Sequence, residues 1–450
     1  MINKLKYKYK EFSKRIFFRN RNELQSRVLF IMFAIIIFRI GSLIPVPGIN
    51  INILSEILHK HSGNFLYMLN IFSGGTINKA SIFSLGVMPY ISSSIIIQLL
   101  TIINPYFKNI KKNGEIGKRK IGKYTKYLSF IFAIIQSICI SISLPHIYFF
   151  KNLVINPGLY FYILCSVSLI TGTMFLIWLG ELITKYGIGN GISIIIFLGI
   201  ISGIPNSIFN IIEKVRLESF NYLLLIVLFI FMFCVIFFVV FVERSIYKIN
   251  IHHPNVNQRR KLYIAKNSYL PLKVNIVGVI PAIFASSVVL FPYTIFSWII
   301  SFNKNNFLIN LLKYLQPHSF FYIFAYVSLI IFFCFFYTNL TFNSIEMSEN
   351  LKKTGSFIKG IRPGYKTSEY IRKIVLKLTF IGAIYMIFVC MIPEFIKYFF
   401  NFNIYFGGTS LLIVVVVIID CISQIQNIVV SNVYYKNFRD SNNKFKNNFF

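Results

Sequence analysis

Ten apolar runs, each about 20 residues long, constrain the fold of this chain more than any other feature of its sequence. A helix of about that length crosses the hydrocarbon core of a bilayer. Charged residues make up only 13% of the chain, about half of their usual share in soluble domains. The sequence therefore predicts an all-α membrane protein with ten spans, and it excludes a soluble enzyme or a disordered chain. The runs lie at 28–48, 81–103, 127–144, 159–179, 192–212, 222–242, 274–300, 320–340, 374–392 and 405–430.

Basic residues between the runs predict the orientation of the spans. The chain has 46 Lys and Arg residues against 14 Asp and Glu residues. With the N-terminus in the cytoplasm, 37 of the basic residues lie on the cytoplasmic side, eight lie outside, and Arg39 lies within a span. The 37 include Lys377, which lies in the ninth run and would have to snorkel to the cytoplasmic face. Because loops rich in Lys and Arg stay on the cytoplasmic side, we expect both termini to be cytoplasmic. The first run follows 27 polar and basic residues without a small-residue cleavage site, so we expect a retained helix rather than a signal peptide.

Two of the cytoplasmic loops, 244–273 and 341–373, are longer than a connection requires. A basic loop of this kind could bind an acidic partner, anionic lipid or ribosomal RNA through its phosphates. It could equally be a solvated loop that only fixes the topology. Charge alone leaves these alternatives open.

The runs contain few residues that could carry chemistry. The six cysteines lie inside apolar runs without C-x-x-C spacing, and the six histidines are scattered, so we expect neither disulfides nor a metal site. A transporter usually places ionisable residues at mid-membrane depth. Arg39 and Asp420 lie in the second halves of their runs, where we expect each to pair inside the bundle or to reach an interface rather than to relay protons or ions. No carboxylate pair, Ser/His/Asp set or Gly-rich phosphate loop is present, so we expect no catalytic residues and no cofactor.

Three glycine-rich breaks accompany the apolar runs: 72–75 precedes the second run, 187–191 leads into the fifth, and 406–409 lies early in the tenth. Irregular backbone at membrane depth is tolerated only where it is buried in protein or lines a cavity. The breaks therefore predict a cavity with a movable element.

Six segments around these breaks, in the same order along the chain, resemble the SecY family, the channel subunits of the bacterial Sec translocon. The resemblance extends over about 38–426. The segments are IFSGGTINKASIFSLGVMPYISSSIIIQLL (71–100), GIGNGISIIIF (187–197), LPLKVNIVGVIPAIFASS (270–287), FYTNLTFN (336–343), NLKKTGSFIKGIRPG (350–364) and YFGGTSLLIVVVVIID (405–420).

The resemblance implies two pseudo-symmetric halves of five helices that close like a clamshell around an hourglass pore, with a re-entrant plug. It divides the chain into a basic cytoplasmic N-terminus (1–27), an N-terminal half with helices one to five (28–212, plug at about 72–79), a connection and sixth helix (213–243), a cytoplasmic loop (244–273), helices seven and eight (274–340), a second cytoplasmic loop (341–373), helices nine and ten (374–430) and a cytoplasmic tail (431–450).

The implied function is to pass unfolded secretory polypeptides across the bacterial cytoplasmic (inner) membrane and to release hydrophobic segments sideways into lipid. The chain itself is not expected to be an enzyme, since the SecA ATPase or the ribosome supplies the energy. The other implied partners are SecE, SecG, polypeptides with a signal sequence, and membrane lipid. No DNA is expected, although the cytoplasmic loops could contact ribosomal RNA.

The resemblance also assigns roles to individual residues. A ring of branched apolar side chains would exclude hydrated ions from the idle pore; its implied members are Val87, Ile91, Ile192, Ile196, Ile283 and Ile413. The plug would include Phe72, Ser73, Gly74 and Gly75, with the glycine pair as hinge. A lateral gate would be lined by Ser92, Ser93, Ser94 and Gln98 on the second span and by Asn275, Ser286 and Ser287 on the seventh. SecA or the ribosome would dock on Arg362, Arg259, Arg260 and Lys261.

Two stretches depart from the family pattern. Residues 245–248 are Ser-Ile-Tyr-Lys where relatives commonly carry Gly-Gln-Arg-Arg, and the tail after Gln426 is rich in Asn, Lys and Phe. Both stretches lie at the implied partner surfaces.

Two alternative functions remain. One is a secondary transporter for a small solute, which would need polar ligands at the midplane, and the other is an inactive membrane scaffold. The abundance of Ile, Phe, Asn and Lys favours a bacterium with an AT-rich genome over a plastid.

Overall fold

The computed structural model describes residues 23–50, 80–146, 154, 156–216, 222–252, 268–302, 319–400 and 407–447. These residues form mostly α-helix with one pair of strands. The elements are α1 (Glu23–Leu43), α2 (Met88–Ile103), α3 (Pro105–Lys112), α4 (Gly114–His146), α5 (Leu159–Tyr186), α6 (Gly191–Arg216), α7 (Tyr222–Arg244), β1 (Ile246–Ile251), β2 (Ser268–Lys273), α8 (Ile280–Phe302), α9 (Phe320–Thr341), α10 (Ser344–Lys353), α11 (Tyr365–Phe400) and α12 (Gly408–Asn447).

Each of the ten predicted runs overlaps a helix within the described ranges. Six of the described helices are long and apolar enough to cross a membrane, and α2 with α3 would be a seventh. That pair bends by 102° at Asn104. Its side-chain oxygen accepts a hydrogen bond from the backbone N–H of Tyr106 at 2.9 Å, and Pro105 occupies the first position of α3. An asparagine cap followed by proline is a strong helix start, so the sequence explains why a new helix begins here.

Large apolar side chains face outward on the helices. On α7, Phe233, Phe237 and Phe241 follow one another at intervals of four residues and are 71%, 74% and 66% exposed. Val235 and Val239 on the same helix are buried. A helix that buries small apolar residues and exposes a stripe of phenylalanines is suited to lipid rather than to water. This pattern agrees with a multi-pass membrane protein.

The chain divides into two compact units. Unit one comprises Met1–Gln98, Asn109–Pro205 and Val417–Phe450, and unit two comprises Leu99–Lys108 and Asn206–Val416. In unit one, a buried cluster joins Val46, which follows α1, with Leu85 before α2 and with Phe161, Cys165 and Leu169 of α5. This cluster holds the segment that leads into α2.

Unit two contains a β-hairpin in the predicted loop 244–273. Strands β1 and β2 are antiparallel, with Ile246 opposite Lys273 and Ile251 opposite Ser268. The hairpin continues at His252, whose backbone N–H donates to the carbonyl of Phe357 at 2.9 Å and whose carbonyl accepts from the N–H of Phe357 at 3.0 Å. The two long basic loops are therefore joined by backbone hydrogen bonds.

An apolar core supports this hairpin. Ile249 of β1 and Leu272 of β2 pack with Ile358 from the second loop and with Ile371 and Val375 of α11. Because all five side chains are buried, the described parts of the two basic loops pack together with α11 into one body.

Candidate functional site

The segment before α2 is held by the chain that follows α1. The N–H of Val46 donates to the carbonyl of Ala80 at 2.7 Å, and the N–H of Ile82 donates to the carbonyl of Ile44 at 3.0 Å. Ala80 itself has φ of +43°, a left-handed conformation that costs a residue with a Cβ roughly 1–2 kcal/mol. The chain between the predicted plug and α2 is thus fixed at a strained junction within unit one.

Phe83 anchors the same segment. Its ring is buried and stacks on Phe38 of α1 and Phe175 of α5, with ring centroids 6.0 Å apart in each pair. Two glycines make room for this segment: a Cβ added at Gly41 would overlap the Phe83 ring, and one added at Gly172 would overlap the carbonyl oxygen of Ile82. Helix α2 therefore starts from a fixed point between α1 and α5.

Val87 directly precedes α2, and Ile91 is the fourth residue of that helix. The carbonyl of Val87 accepts hydrogen bonds from the N–H groups of Tyr90 and Ile91, each at 3.1 Å. Since the two predicted pore residues are four positions apart at a helix start, they share one helix face. Val87 is buried and Ile91 is half-buried.

The glycine-rich break 187–191 starts α6. The side-chain oxygen of Asn190 accepts from the N–H of Ile192 at 3.2 Å, which caps the helix. The hydroxyl of Thr184 accepts from the N–H of Gly191 at 2.8 Å and donates to the carbonyl of Gly180 at 2.9 Å. The start of α6 is therefore fastened to the end of α5, and the predicted pore residues Ile192 and Ile196 follow it, both half-buried.

Two distant side chains bind the same glycine loop. Arg27 of α1 donates from Nη1 to the carbonyl of Gly187 at 3.2 Å and also pairs with Glu23 at 2.8 Å. Gln424 of α12 accepts from the N–H of Gly189 at 2.6 Å. Sequence reasoning identified the loop but missed Arg27 and Gln424, because nothing in the sequence indicates which helix supplies the partner of an exposed backbone group.

Three of the helices with predicted pore residues follow the same local rule. Gly86, Gly189 and Gly278 each lie two residues before the start of α2, α6 and α8, with φ of +56°, +85° and +68°. Only glycine adopts this conformation without strain. Each glycine therefore marks where irregular backbone turns into a helix.

The predicted pore residues cluster at these helix starts. Ile283 is the fourth residue of α8 and is half-buried, and Ile413 is the sixth residue of α12 and is buried. At the start of α12, a Cβ added to Gly408 would overlap the backbone of Cys390 in α11. Gly408 thus allows α12 to begin directly against α11 within unit two.

The predicted gate serines bond within their own helices. On α2, the hydroxyls of Ser93 and Ser94 donate to the carbonyls of Tyr90 and Ile91, each at 2.9 Å. On α8, the hydroxyls of Ser286 and Ser287 both donate to the carbonyl of Ile283, at 2.9 and 2.8 Å. Ser92 and Gln98 lie half-buried on α2.

The predicted gate residue Asn275 makes a buried hydrogen bond in unit two. Its amide donates to Oε1 of Glu243 at 2.7 Å, and its side-chain oxygen accepts from the N–H of Gly278 at 3.2 Å. Asn275 and Glu243 are only 6% and 7% exposed. Sequence reasoning identified Asn275 but missed Glu243, which lies 32 positions earlier at the end of α7.

Arg362 lies in a tight turn of the second basic loop. Its side chain is exposed, its carbonyl accepts from the hydroxyl of Thr367 at 2.8 Å, and Gly360 and Gly364 on either side have φ of +83° and +108°. The turn therefore presents the guanidinium group to solvent from a fixed backbone. The remaining predicted residues, 72–75 of the plug and 259–261 of the docking loop, lie outside the described residues.

Comparison with known proteins identifies the family. The family model described as SecY matches residues 81–422. A relative named protein translocase subunit SecY from Buchnera aphidicola subsp. Schizaphis graminum is 52% identical over 442 residues, which cover 98% of this chain and 100% of the relative. The protein of the same name from Escherichia coli K12 is 51% identical over 422 residues, covering 94% of this chain and 95% of that protein.

Solved structures share the fold at low sequence identity. A protein-conducting channel aligns with a TM-score of 0.64 and 19% identity, covering 89% of this chain and 92% of the other. Canine Sec61, in a complex of ribosome and channel, aligns with a TM-score of 0.61 and 18% identity over 91% of this chain and 92% of the other. The sequence relatives rule out the secondary-transporter and scaffold alternatives. The chain belongs to the SecY family of protein translocase subunits.

Proposed function

We propose that this channel subunit crosses the bacterial inner membrane ten times, as two five-helix halves closing like a clamshell around an hourglass pore. The chain is the protein-conducting channel of the Sec translocon, which passes unfolded secretory polypeptides across the membrane and releases hydrophobic segments into lipid; it is not an enzyme. The identity of 52% to a named translocase subunit over 98% of this chain carries that function. The overlap of every predicted run with a helix supports the ten spans. The excess of basic residues in alternate loops supports cytoplasmic termini.

The idle pore would be closed by Val87, Ile91, Ile192, Ile196, Ile283 and Ile413. A constriction of branched apolar side chains loses its water and so excludes ions, yet it forms no hydrogen bonds with a passing polypeptide. Support comes from position: Val87 directly precedes α2, and the other five residues lie within the first six positions of their helices. Because the backbone is fixed where a helix starts after a glycine turn, these side chains extend from fixed positions.

A polar side chain in this ring should make the idle channel leak. We expect Ile196→Asn to raise the ion conductance of the idle complex about tenfold, because an amide adds about 1–2 kcal/mol of favourable hydration to the constriction. Conductance in planar bilayers measures this change. Ile163→Asn is the matched control, since Ile163 is 63% exposed on α5 of the same unit. Equal leakage from both variants would contradict the assignment of Ile196 to the ring.

The plug and the lateral gate would provide the moving parts. The plug, around Phe72, Ser73, Gly74 and Gly75, would end at the junction that Ala80 and Val46 fix. The gate would separate the serines of α2 from those of α8. Because four of these hydroxyls donate within their own helices, they can add only weakly to helix association, as a gate that opens for a signal helix requires.

The partners would be SecE and SecG in the membrane and SecA or the ribosome at the basic loops. Solved channels with this fold are bound to ribosomes, among them canine Sec61 and the yeast Ssh1 complex. The body formed by the hairpin and the second loop, with Arg362 exposed, supports docking at this surface. Arg259, Arg260 and Lys261 would extend it.

Reconstitution tests the proposed function directly. The chain is placed in vesicles with SecE and SecG, then given SecA, ATP and an unfolded precursor with a signal sequence. We expect precursor to become protected from protease only when ATP is present. Vesicles that contain the folded complex but protect no precursor, with either SecA or translating ribosomes, would overturn the proposal.

A further inference from the structure

The entry to α8 is irregular and depends on one buried side chain. Residues 274–279 form no helix or strand between β2 and α8. Within this stretch Asn275 both donates to Glu243 at 2.7 Å and accepts from Gly278 at 3.2 Å, so it ties the turn before α8 to the end of α7. Gly278 has φ of +68°, which requires glycine there.

The pair packs against α11 of the same unit. The amide of Asn275 lies 3.8 Å from the sulfur of Met386 in α11, which is fully buried, and a Cβ added to Gly382 would lie 3.4 Å from the carbonyl oxygen of Val274. Helix α11 therefore packs directly on the irregular segment. In such an environment a polar group that loses its partner is costly, so the pair strongly favours one position of the base of α8.

We propose that Asn275 and Glu243 are positioning residues that hold the base of α8 and thereby set how readily the channel opens. The inference rests on the proposed function of α8, which carries the pore residue Ile283 and the gate residues Ser286 and Ser287. A movement of α8 that carries residues 274–279 away from α7 and α11 breaks this hydrogen bond. A weakened pair then lowers the free energy difference between closed and open channel, and more of the idle channels are open.

Substitutions of similar shape separate this role from general packing. Asn275→Asp removes the amide donor and places two carboxyl groups together in a buried site, where both cannot be ionised. The pair can then keep a hydrogen bond only by taking up a proton, which costs free energy at neutral pH. We expect idle conductance to rise about tenfold, together with transport of a precursor whose signal sequence carries a charged residue in its apolar core. Glu243→Gln keeps an acceptor oxygen for Asn275 and should stay within about twofold of the unchanged channel.

The exchanged pair is the decisive variant. In the double variant Asn275→Asp with Glu243→Gln, the introduced amide can donate to the introduced carboxylate. We therefore expect the idle conductance, and the transport of the precursor with the charged signal sequence, to return to the levels of the unchanged channel. Thr379→Val is the matched control, because it removes a buried hydrogen bond of 3.2 Å between Thr379 of α11 and Thr338 of α9. It should lower thermal stability without increasing conductance.

Three results would overturn the inference. They are unchanged conductance of Asn275→Asp at a normal content of folded complex, a double variant that leaks as much as Asn275→Asp, and equal leakage from Thr379→Val. Transport of the normal precursor by the unchanged channel is measured in the same vesicles. If that transport is absent, the proposed function fails; if it is present and the variants do not leak, only the role of Asn275 and Glu243 fails.

Discussion

Gly191→Val is expected to prevent unit one from folding stably. Gly191 opens α6 so close to α5 that a Cβ would overlap the carbonyl oxygen of Gly180 and lie 2.9 Å from Cβ of Ile183. Both neighbours belong to a helix whose end is already bonded to Gly191 through Thr184, so neither can withdraw easily. Overpacking typically costs about 1–3 kcal/mol and occasionally more, and even this range is a large part of the total stability of a domain. The amount of chain in the membrane and the unfolding temperature of the purified complex measure the loss.

Gly203→Ala is the matched control for this substitution. Gly203 lies on the same helix, and a Cβ added there meets no heavy atom within 4 Å. Replacing a helical glycine with alanine then stabilises by roughly 0.5–1 kcal/mol. Gly191→Ala, the milder form, should already lower the unfolding temperature. If it unfolds at the same temperature as Gly203→Ala, the close contact between α5 and α6 is wrong.

Hydropathy predicted the helices well where apolar residues and helical backbone coincide. The runs 159–179, 222–242 and 320–340 begin at the first residues of α5, α7 and α9. The run 81–103 failed at its start, since α2 begins only at Met88. The stretch that begins at Ser81 is on average apolar enough for a span, but the backbone of Ser81 and Ile82 pairs with the chain after α1. Hydropathy measures which side chains avoid water and carries no information about such pairing.

The hairpin of unit two is an element that the sequence analysis did not predict. Its basic composition predicted a loop, although Ile249 and Ile251 of β1 alternate with polar residues as in a half-buried strand. The pattern is short, and the side chains that bury it come from the second loop and α11, more than 100 positions away. Partners of this kind also explain why Arg27, Gln424 and Glu243 were missed. The sequence pointed to the loop 187–191 and to Asn275, whereas their hydrogen-bond partners are determined by the tertiary packing.

Arg362 is expected to be essential for transport driven by SecA. The chain before its turn is fixed by packing, because Ile358 is buried in one cluster with Ile249 and Ile371. The backbone that carries the exposed guanidinium group is therefore positioned without a bound partner. A planar group with five N–H donors suits a carboxylate on an acidic partner, and holding it in position reduces the entropy lost on binding. Charge reversal both removes this contact and adds repulsion.

Arg362→Glu should therefore lower SecA-driven transport at least about a hundredfold, since disrupting a buried charge pair at an interface costs about 2–5 kcal/mol. The amount of protease-protected precursor in vesicles measures the loss.

Lys353→Glu is the matched control, because Lys353 is exposed in the same loop at the end of α10. This substitution should change transport by less than about threefold, as for a charge at the rim of an interface. A similar loss in both variants would mean that the net charge of the loop, rather than the fixed turn around Arg362, determines docking. Raising the salt concentration separates the two cases further, because long-range attraction to a basic loop is screened whereas a desolvated arginine pair is screened much less.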